Sequence, residues 1–215
     1  MESPKNGKLL LFPWRPRHRS AGPVEARLSD ESLLAACGTG DSTALGELFE
    51  RFHTPVYRFL SRMLGSDCAE LDDLVQSTFL EVLRAAPTFQ RRSAVQTWIL
   101  GIAANLSRHH TRSEVRRRIL LSGVALQSVE PRPAPDQSAE RRQFLDRLRE
   151  LLAGLPHELR EAFILCDVEE IPGVEVARVL DIREGTLWRR LHEARKRLRS
   201  ALFEGRDGKN NLPEP

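Results

Sequence analysis

Residues 174–198 read "VEVARVLDIREGTLWRRLHEARKRL". Val176, Ala177 and Val179 or Leu180 mark one face of a short helix, and Leu187, Leu191, Ala194 and Leu198 mark one face of a longer one. Only a tight turn around Asp181 separates them, which is the sequence form of a helix-turn-helix. The first helix is expected to pack on Ile182, Leu187 and Leu191 and so fix the crossing of the pair. The faces left over carry Arg189, Arg190, Arg195, Lys196, Arg197 and Arg199 against one acid, Glu193, so ion pairs within the helix cannot neutralise them. A bulky Trp188 stands among these cations. Phosphate groups supply the missing counter-charge, because guanidinium groups meet them in paired hydrogen bonds. The outer face of the second helix is therefore expected to enter a DNA major groove.

Outward from this motif the chain stays helical. Leu45, Leu48, Phe49, Phe52, Val56, Phe59, Leu60 and Met63 keep one face across an expected break or kink at Pro55. Two further helices follow in "AELDDLVQSTFLEVLRAA" (69–86) and "AVQTWILGIAANLSRHHTRSEVRRR" (94–118), with "PTFQRRS" (87–93) between them. "VEPRPAPDQSAE" (129–140) then places prolines at alternate positions, the composition of an extended linker. Strand patterns are nearly absent. The expected fold class is all-α: a disordered basic tail over 1–27, a helical domain over 28–118, a flexible linker over 119–138, a helix-turn-helix domain over 139–204 and a disordered tail over 205–215.

Composition narrows the function classes. With 40% hydrophobic and 29% charged residues the 215-residue chain reads as soluble and globular, and its net charge of +3 mildly favours an acidic partner. The three cysteines, Cys37, Cys68 and Cys166, are far apart and form no CxxC pair, so neither a disulfide framework nor a zinc knuckle is signalled. Free thiols and the lack of a long apolar run point to the cytoplasm, with no membrane insertion.

Taken together, "LPHELREAFILCDVEEIPGVEVARVLDIREGTLWRRLHEARKRLRSAL" (155–202) resembles the fourth, promoter-binding domain of bacterial sigma-70 family sigma factors of the extracytoplasmic-function (ECF) group. "ALGELFERFHTPVYRFLSRMLG" (44–65), "AELDDLVQSTFLEVLRAAPTF" (69–89) and "TWILGIAANLSRHHTR" (97–112) resemble that group's second domain, in the same order. The resemblance implies a subunit that docks on the β′ and β subunits of core RNA polymerase, recognises minus-35 and minus-10 promoter elements and promotes melting, with an anti-sigma factor as a further partner. It implies polymerase docking by Asp72, Asp73, Gln76, Thr78 and Phe79. It implies minus-10 contacts from the loop residues Phe89, Arg91, Arg92, Ser93 and Gln96, which match a base-capture loop, and from Asn105, Arg108, His109, Arg112 and Arg116. It implies minus-35 contacts from Arg183, Thr186, Trp188, Arg189, Arg190, Glu193 and Arg197. Arg91 and Asp181 stand where the family often has glycine, His109 where it often has aspartate, and Trp188 and Arg189 where lysine and serine are common, so the promoter sequence cannot be carried over from relatives.

Two other functions compete. A DNA-binding regulator needing no polymerase would pair the helix-turn-helix with a sensor domain, but the first half offers an acidic helix and a basic helix end rather than an apolar ligand pocket. An enzyme would need a reactive constellation. "DDLVQ" (72–76) resembles an aspartate-rich magnesium motif but has Gln76 where a third acid is wanted, and "HELRE" (157–161) lacks the second histidine of a zinc helix. No cofactor, resident metal or catalytic residue is expected.

Overall fold

Ser29 and Asp41 start the first two helices. In the computed structural model, which describes residues 28–121 and 147–207, Ser29 Oγ accepts the Ser32 N–H at 3.2 Å and caps α1 (Asp30–Gly38). Asp41 caps α2 (Ser42–Leu64), accepting from Thr43 N at 2.8 Å and Ala44 N at 3.2 Å. The basic N-terminal tail, most of the linker and the end of the C-terminal tail lie outside the described residues.

Of the break or kink expected at Pro55, the break does not occur: helix α2 runs on through it. A proline inside a helix costs about 3 kcal/mol. The neighbours Phe52, Val56, Phe59 and Leu60 are all buried, and each such side chain contributes roughly 1.5–3 kcal/mol by leaving water, so packing overrides the local defect. Helix α3 (Leu71–Ala85) and α4 (Val95–Leu121) complete the first lobe around Leu48, Phe59, Met63, Val75, Val82, Ile99 and Leu100. Helix α4 continues three residues past the expected domain end at 118.

The second lobe begins with residues 147–153, designated α5, followed by α6 (His157–Phe163), a π-helical turn over Ile164–Val168, α7 (Gly173–Val179) and α8 (Glu184–Asp207). Helices α7 and α8 form the helix-turn-helix, with Val176, Ala177, Leu180, Leu187 and Leu191 buried as the periodicity requires. No strand occurs among the described residues.

The two lobes share a core. Ala162, Ile164, Leu165, Ile171, Val176, Ala177, Leu180 and Leu187 join the same apolar cluster as the first lobe, while Leu152, Leu155, Ala194 and Leu198 form a smaller cluster of their own. The lobes approach tightly at Gly101 of α4, where a Cβ would stand 2.8 Å from Val179 Cβ and 3.3 Å from the Val179 carbonyl oxygen. Only glycine lets α4 and α7 pack this tightly.

Candidate nucleic-acid interface

The outer face of α8 is the first half of the site. Arg183 starts the helix by offering its carbonyl to Thr186 N at 2.9 Å and Leu187 N at 3.1 Å, which leaves its side chain exposed. Arg189, Lys196 and Arg199 are exposed with no acidic partner among the described residues. Arg190 and Thr186 are half-buried beside them. Glu193 is held by Arg197 Nε at 2.7 Å, and that bond keeps its carboxyl below the usual carboxylate range. Arg195 is spoken for from outside the helix: Asp167, in the π-helical turn, accepts from its Nε and Nη2 at 2.8 and 2.6 Å. Periodicity within α8 gives no hint of that partner.

Trp188 is half-exposed, and its ring edge lies on Gly173 at the start of α7. A Cβ at Gly173 would come 2.7 Å from the indole Cζ2 and Cη2 atoms. The indole is thus laid along the basic face by a missing side chain one helix away. Asp181 turns the chain between α7 and α8 with φ of +52°, the left-handed conformation that aspartate enters more readily than most residues.

The second half of the site spans the segment after α3 and the first turns of α4. A 3-10 turn over Ala86–Thr88 leads to Phe89, whose ring packs edge-on against Trp98 with centroids 5.3 Å apart. Arg91 adopts φ of +55°, so the backbone keeps a glycine-like turn with an arginine in place. Arg91, Arg92 and Gln96 are exposed and Ser93 half-buried, while Asn105, His109, Arg112 and Arg116 line up along the exposed side of α4. Phe89 therefore supports Trp98 and the polar residues project.

This half faces the other lobe. A cleft of about 650 Å³ lies between Gln90, Arg92, Ser93, Trp98 and Asn105 on one side and Arg178, Val179 and Asp181 on the other. Arg178 donates to the Arg92 carbonyl, and Ala94 N donates to Glu175 Oε2 at 3.4 Å. Arg108, expected at the minus-10 strand, instead donates from Nη2 to both carboxylate oxygens of Glu161 at 2.9 and 3.0 Å. Glu161 is fully buried; burial pushes its carboxyl up, and the Arg108 charge works against that push. Below this pair, Ser107 Oγ donates to the Ala104 carbonyl at 2.8 Å and so accepts from His157 Nε2 at 3.3 Å. His157 Nδ1 is buried without a partner, and burial together with Arg160, Arg108 and Arg112 lowers this imidazole to about 4. Arg160 extends the seam by donating to the carbonyls of Met63, Ala153 and Leu155, and Arg62 pairs with Glu169 across it.

The expected polymerase-docking set is split. Asp72, Asp73 and Gln76 are exposed on α3, but Thr78 and Phe79 are not at the surface. Thr78 is fully buried with its hydroxyl donating to the Leu74 carbonyl at 2.8 Å, and Phe79 is 4% exposed with its ring edge-on to Phe49 at 4.8 Å. Both fall at three and four residues after buried Val75, the inward face of α3. Leu80, 55% exposed and one turn beyond Gln76, takes their place on the outward face; a lone exposed leucine in that register was the available signal.

Comparison with known proteins identifies two regions of the chain. The family pattern for Sigma-70 region 2 matches residues 48–117, and that for Sigma-70, region 4 matches residues 145–198. The chain is 32% identical over 174 residues to the ECF RNA polymerase sigma factor SigM of Mycobacterium tuberculosis, covering 81% of this chain and 85% of that protein. It is 28% identical over 203 residues to the ECF RNA polymerase sigma-E factor of Escherichia coli K12, covering 89% and 98%. The fold is similar to the sigma factor RpoE of Bartonella quintana, solved with the anti-sigma factor NepR (TM-score 0.60, 24% identity, 73% of this chain and 95% of that one). It is also similar to CnrH, solved with the cytosolic domain of CnrY (TM-score 0.58, 24% identity, 82% and 97%). With both sigma regions in order on one helical chain, and that identity sustained over four-fifths of its length, the protein belongs to the ECF group of the sigma-70 family.

Proposed function

We propose that this sigma factor reads its promoter with two surfaces, one open on α8 and one walled in between the packed lobes. As an ECF sigma factor the chain binds core RNA polymerase and recognises promoter DNA; it is an initiation factor and not an enzyme. Arg183, just before α8, and Trp188, Arg189, Arg190 and Arg197 on α8 address the minus-35 element. Arg91, Arg92, Ser93, Gln96 and Asn105, with the basic side of α4, address the minus-10 strand. Asp72, Asp73, Gln76 and Leu80 on α3 address the polymerase. By analogy with the two solved relatives, an anti-sigma protein is a further partner.

The observation that carries this reading is the cleft, where side chains fit for an unstacked base sit together. Holding a base outside the duplex costs a few kcal/mol, which a polar pocket with an aromatic wall offsets. Arg92 and Ser93 in the cleft, with the exposed Gln96 on the first turn of α4, supply phosphate and base-edge hydrogen bonds, and Trp98, braced by Phe89, supplies the wall. Changing Arg92, Ser93 and Gln96 together to alanine is expected to leave folding, core binding and minus-35 contacts intact while depressing permanganate reactivity of minus-10 thymines. A premelted template should partly restore transcription. Unchanged reactivity with normal transcript yield would place the capture site elsewhere.

A further inference from the structure

Outside both surfaces, the turn between α2 and α3 brings a thiol and a carboxylate against the middle of α4. Cys68 Sγ lies 3.6 Å from Glu70 Oε2, and His110 Nε2 lies 3.8 Å from the same oxygen. All three donor atoms lie within 4.8 Å of one another. We propose that Cys68, Glu70 and His110 form a binding site for a borderline-soft divalent transition metal, zinc foremost, that staples the α2–α3 turn to α4.

Bond lengths of about 2.3 Å to sulfur and 2.0–2.2 Å to nitrogen and oxygen at tetrahedral angles separate ligand atoms by roughly 3.4–3.6 Å. The sulfur–oxygen separation already has that value, and the nitrogen–oxygen separation exceeds it by a few tenths of an ångström. A thiolate, an imidazole and one carboxylate select zinc over magnesium or calcium, which want oxygen ligands throughout. The fourth position falls to water. Cys68 and His110 are partly buried while Glu70 is 46% exposed on its side chain, so an ion has an entry path on the carboxylate side. Binding costs Cys68 its thiol proton, which leaves to solvent, and one proton is released per ion.

The site has a local consequence. Arg117 Nη2 lies 3.8 Å from Glu70 Oε1 and also pairs with Glu114. An ion at Glu70 Oε2 weakens the attraction of this carboxylate for Arg117, which faces Oε1, and adds positive charge beside the basic end of α4. The staple also fixes α4 next to His109 and Arg112. The metal site itself does not depend on α4 touching DNA.

Cobalt(II) is a visible probe of such a site. Titrated into the reduced, chelator-treated full-length chain, it is expected to give a near-ultraviolet thiolate-to-cobalt charge-transfer band and intense tetrahedral visible bands. These should saturate at one equivalent and bleach on addition of one equivalent of zinc chloride. Cys68→Ser should abolish the charge-transfer band; His110→Gln and Glu70→Gln should each weaken binding by more than about tenfold, the least that loss of even an outer-shell partner costs. The last two variants carry the test if Cys68→Ser proves unfolded by circular dichroism. Absence of the band in the wild-type chain, or undiminished affinity in His110→Gln and Glu70→Gln, would overturn the site, as would a band that survives in folded Cys68→Ser, since Cys37 or Cys166 would then be the source.

Discussion

Trp188 and Gly173 illustrate how one residue sets what another can read. The indole is laid on a bare Cα, and a methyl group at Gly173 would meet the ring at 2.7 Å. Gly173→Ala must therefore lift or rotate the indole while leaving the α8 backbone in place. Its expected signature is a changed minus-35 preference in a randomised-element selection, with unchanged affinity for core polymerase; an identical preference would mean that Trp188 plays no part in reading. Arg190 offers a simpler case. Arg190→Ala is expected to weaken minus-35 binding by about 1–3 kcal/mol if it contacts a base edge, with relaxed sequence choice, or to flatten the salt dependence uniformly if it contacts phosphate. Binding titrations at several salt concentrations separate the two.

At the scale of elements, α4 meets α7 at a glycine and α6 through a buried charge. A methyl at Gly101 would overlap Val179, a strain of about 1–3 kcal/mol that exists only while the lobes are packed, whereas alanine favours the isolated helix by about 1 kcal/mol. Gly101→Ala is thus expected to shift the chain toward an open form, seen as a larger radius of gyration by X-ray scattering. His157 gives the same seam a pH dependence. Its folded value of about 4 lies below the ordinary histidine value of 6.5, so over that interval the unfolded chain binds the extra proton. The His157 contribution is complete above about 6.5 and is lost as pH falls toward about 4. Glu161, pushed the other way by burial, opposes this loss in the same acid range. Comparing unfolding free energies of wild type and His157→Gln from pH 7 to 4 isolates the histidine: the variant should lose less stability on acidification.

Much of this was readable in the amino-acid sequence. The three-and-four spacing of Leu187, Leu191, Ala194 and Leu198 placed the recognition helix and its buried face, and the left-handed Asp181 turn is where the pattern breaks. What escaped were effects that no single helix encodes. Asp167 neutralises Arg195 from another element, Glu161 engages Arg108 from another lobe, and the packing of Phe52 and Val56 carries α2 through Pro55. Thr78 and Phe79 were assigned to the surface by resemblance although their spacing from Val75 already placed them inside.

For the whole molecule, the shared core poses a geometric problem. The proposed minus-10 cleft is walled by the helix-turn-helix lobe, and Arg108 is engaged by Glu161. On that proposal, promoter binding separates lobes that share a core, and the fully buried Glu161 loses its partner as it does so. Charge left on a buried carboxylate is costly, so Arg108→Ala is expected to destabilise the closed form, by about 3–5 kcal/mol before relaxation and solvent entry reduce it. Thermal unfolding of the variant checks this.

The central claim is that this chain turns core polymerase into a promoter-specific enzyme. Mapping transcription starts on genomic DNA, with purified core polymerase alone and with this protein added, tests it most directly. Discrete new start sites sharing upstream minus-35 and minus-10 elements are expected, dependent on the protein and depressed in the Arg92, Ser93 and Gln96 triple variant. Tight binding to DNA fragments without any protein-dependent start would contradict it, because a regulator that needs no polymerase behaves in that way.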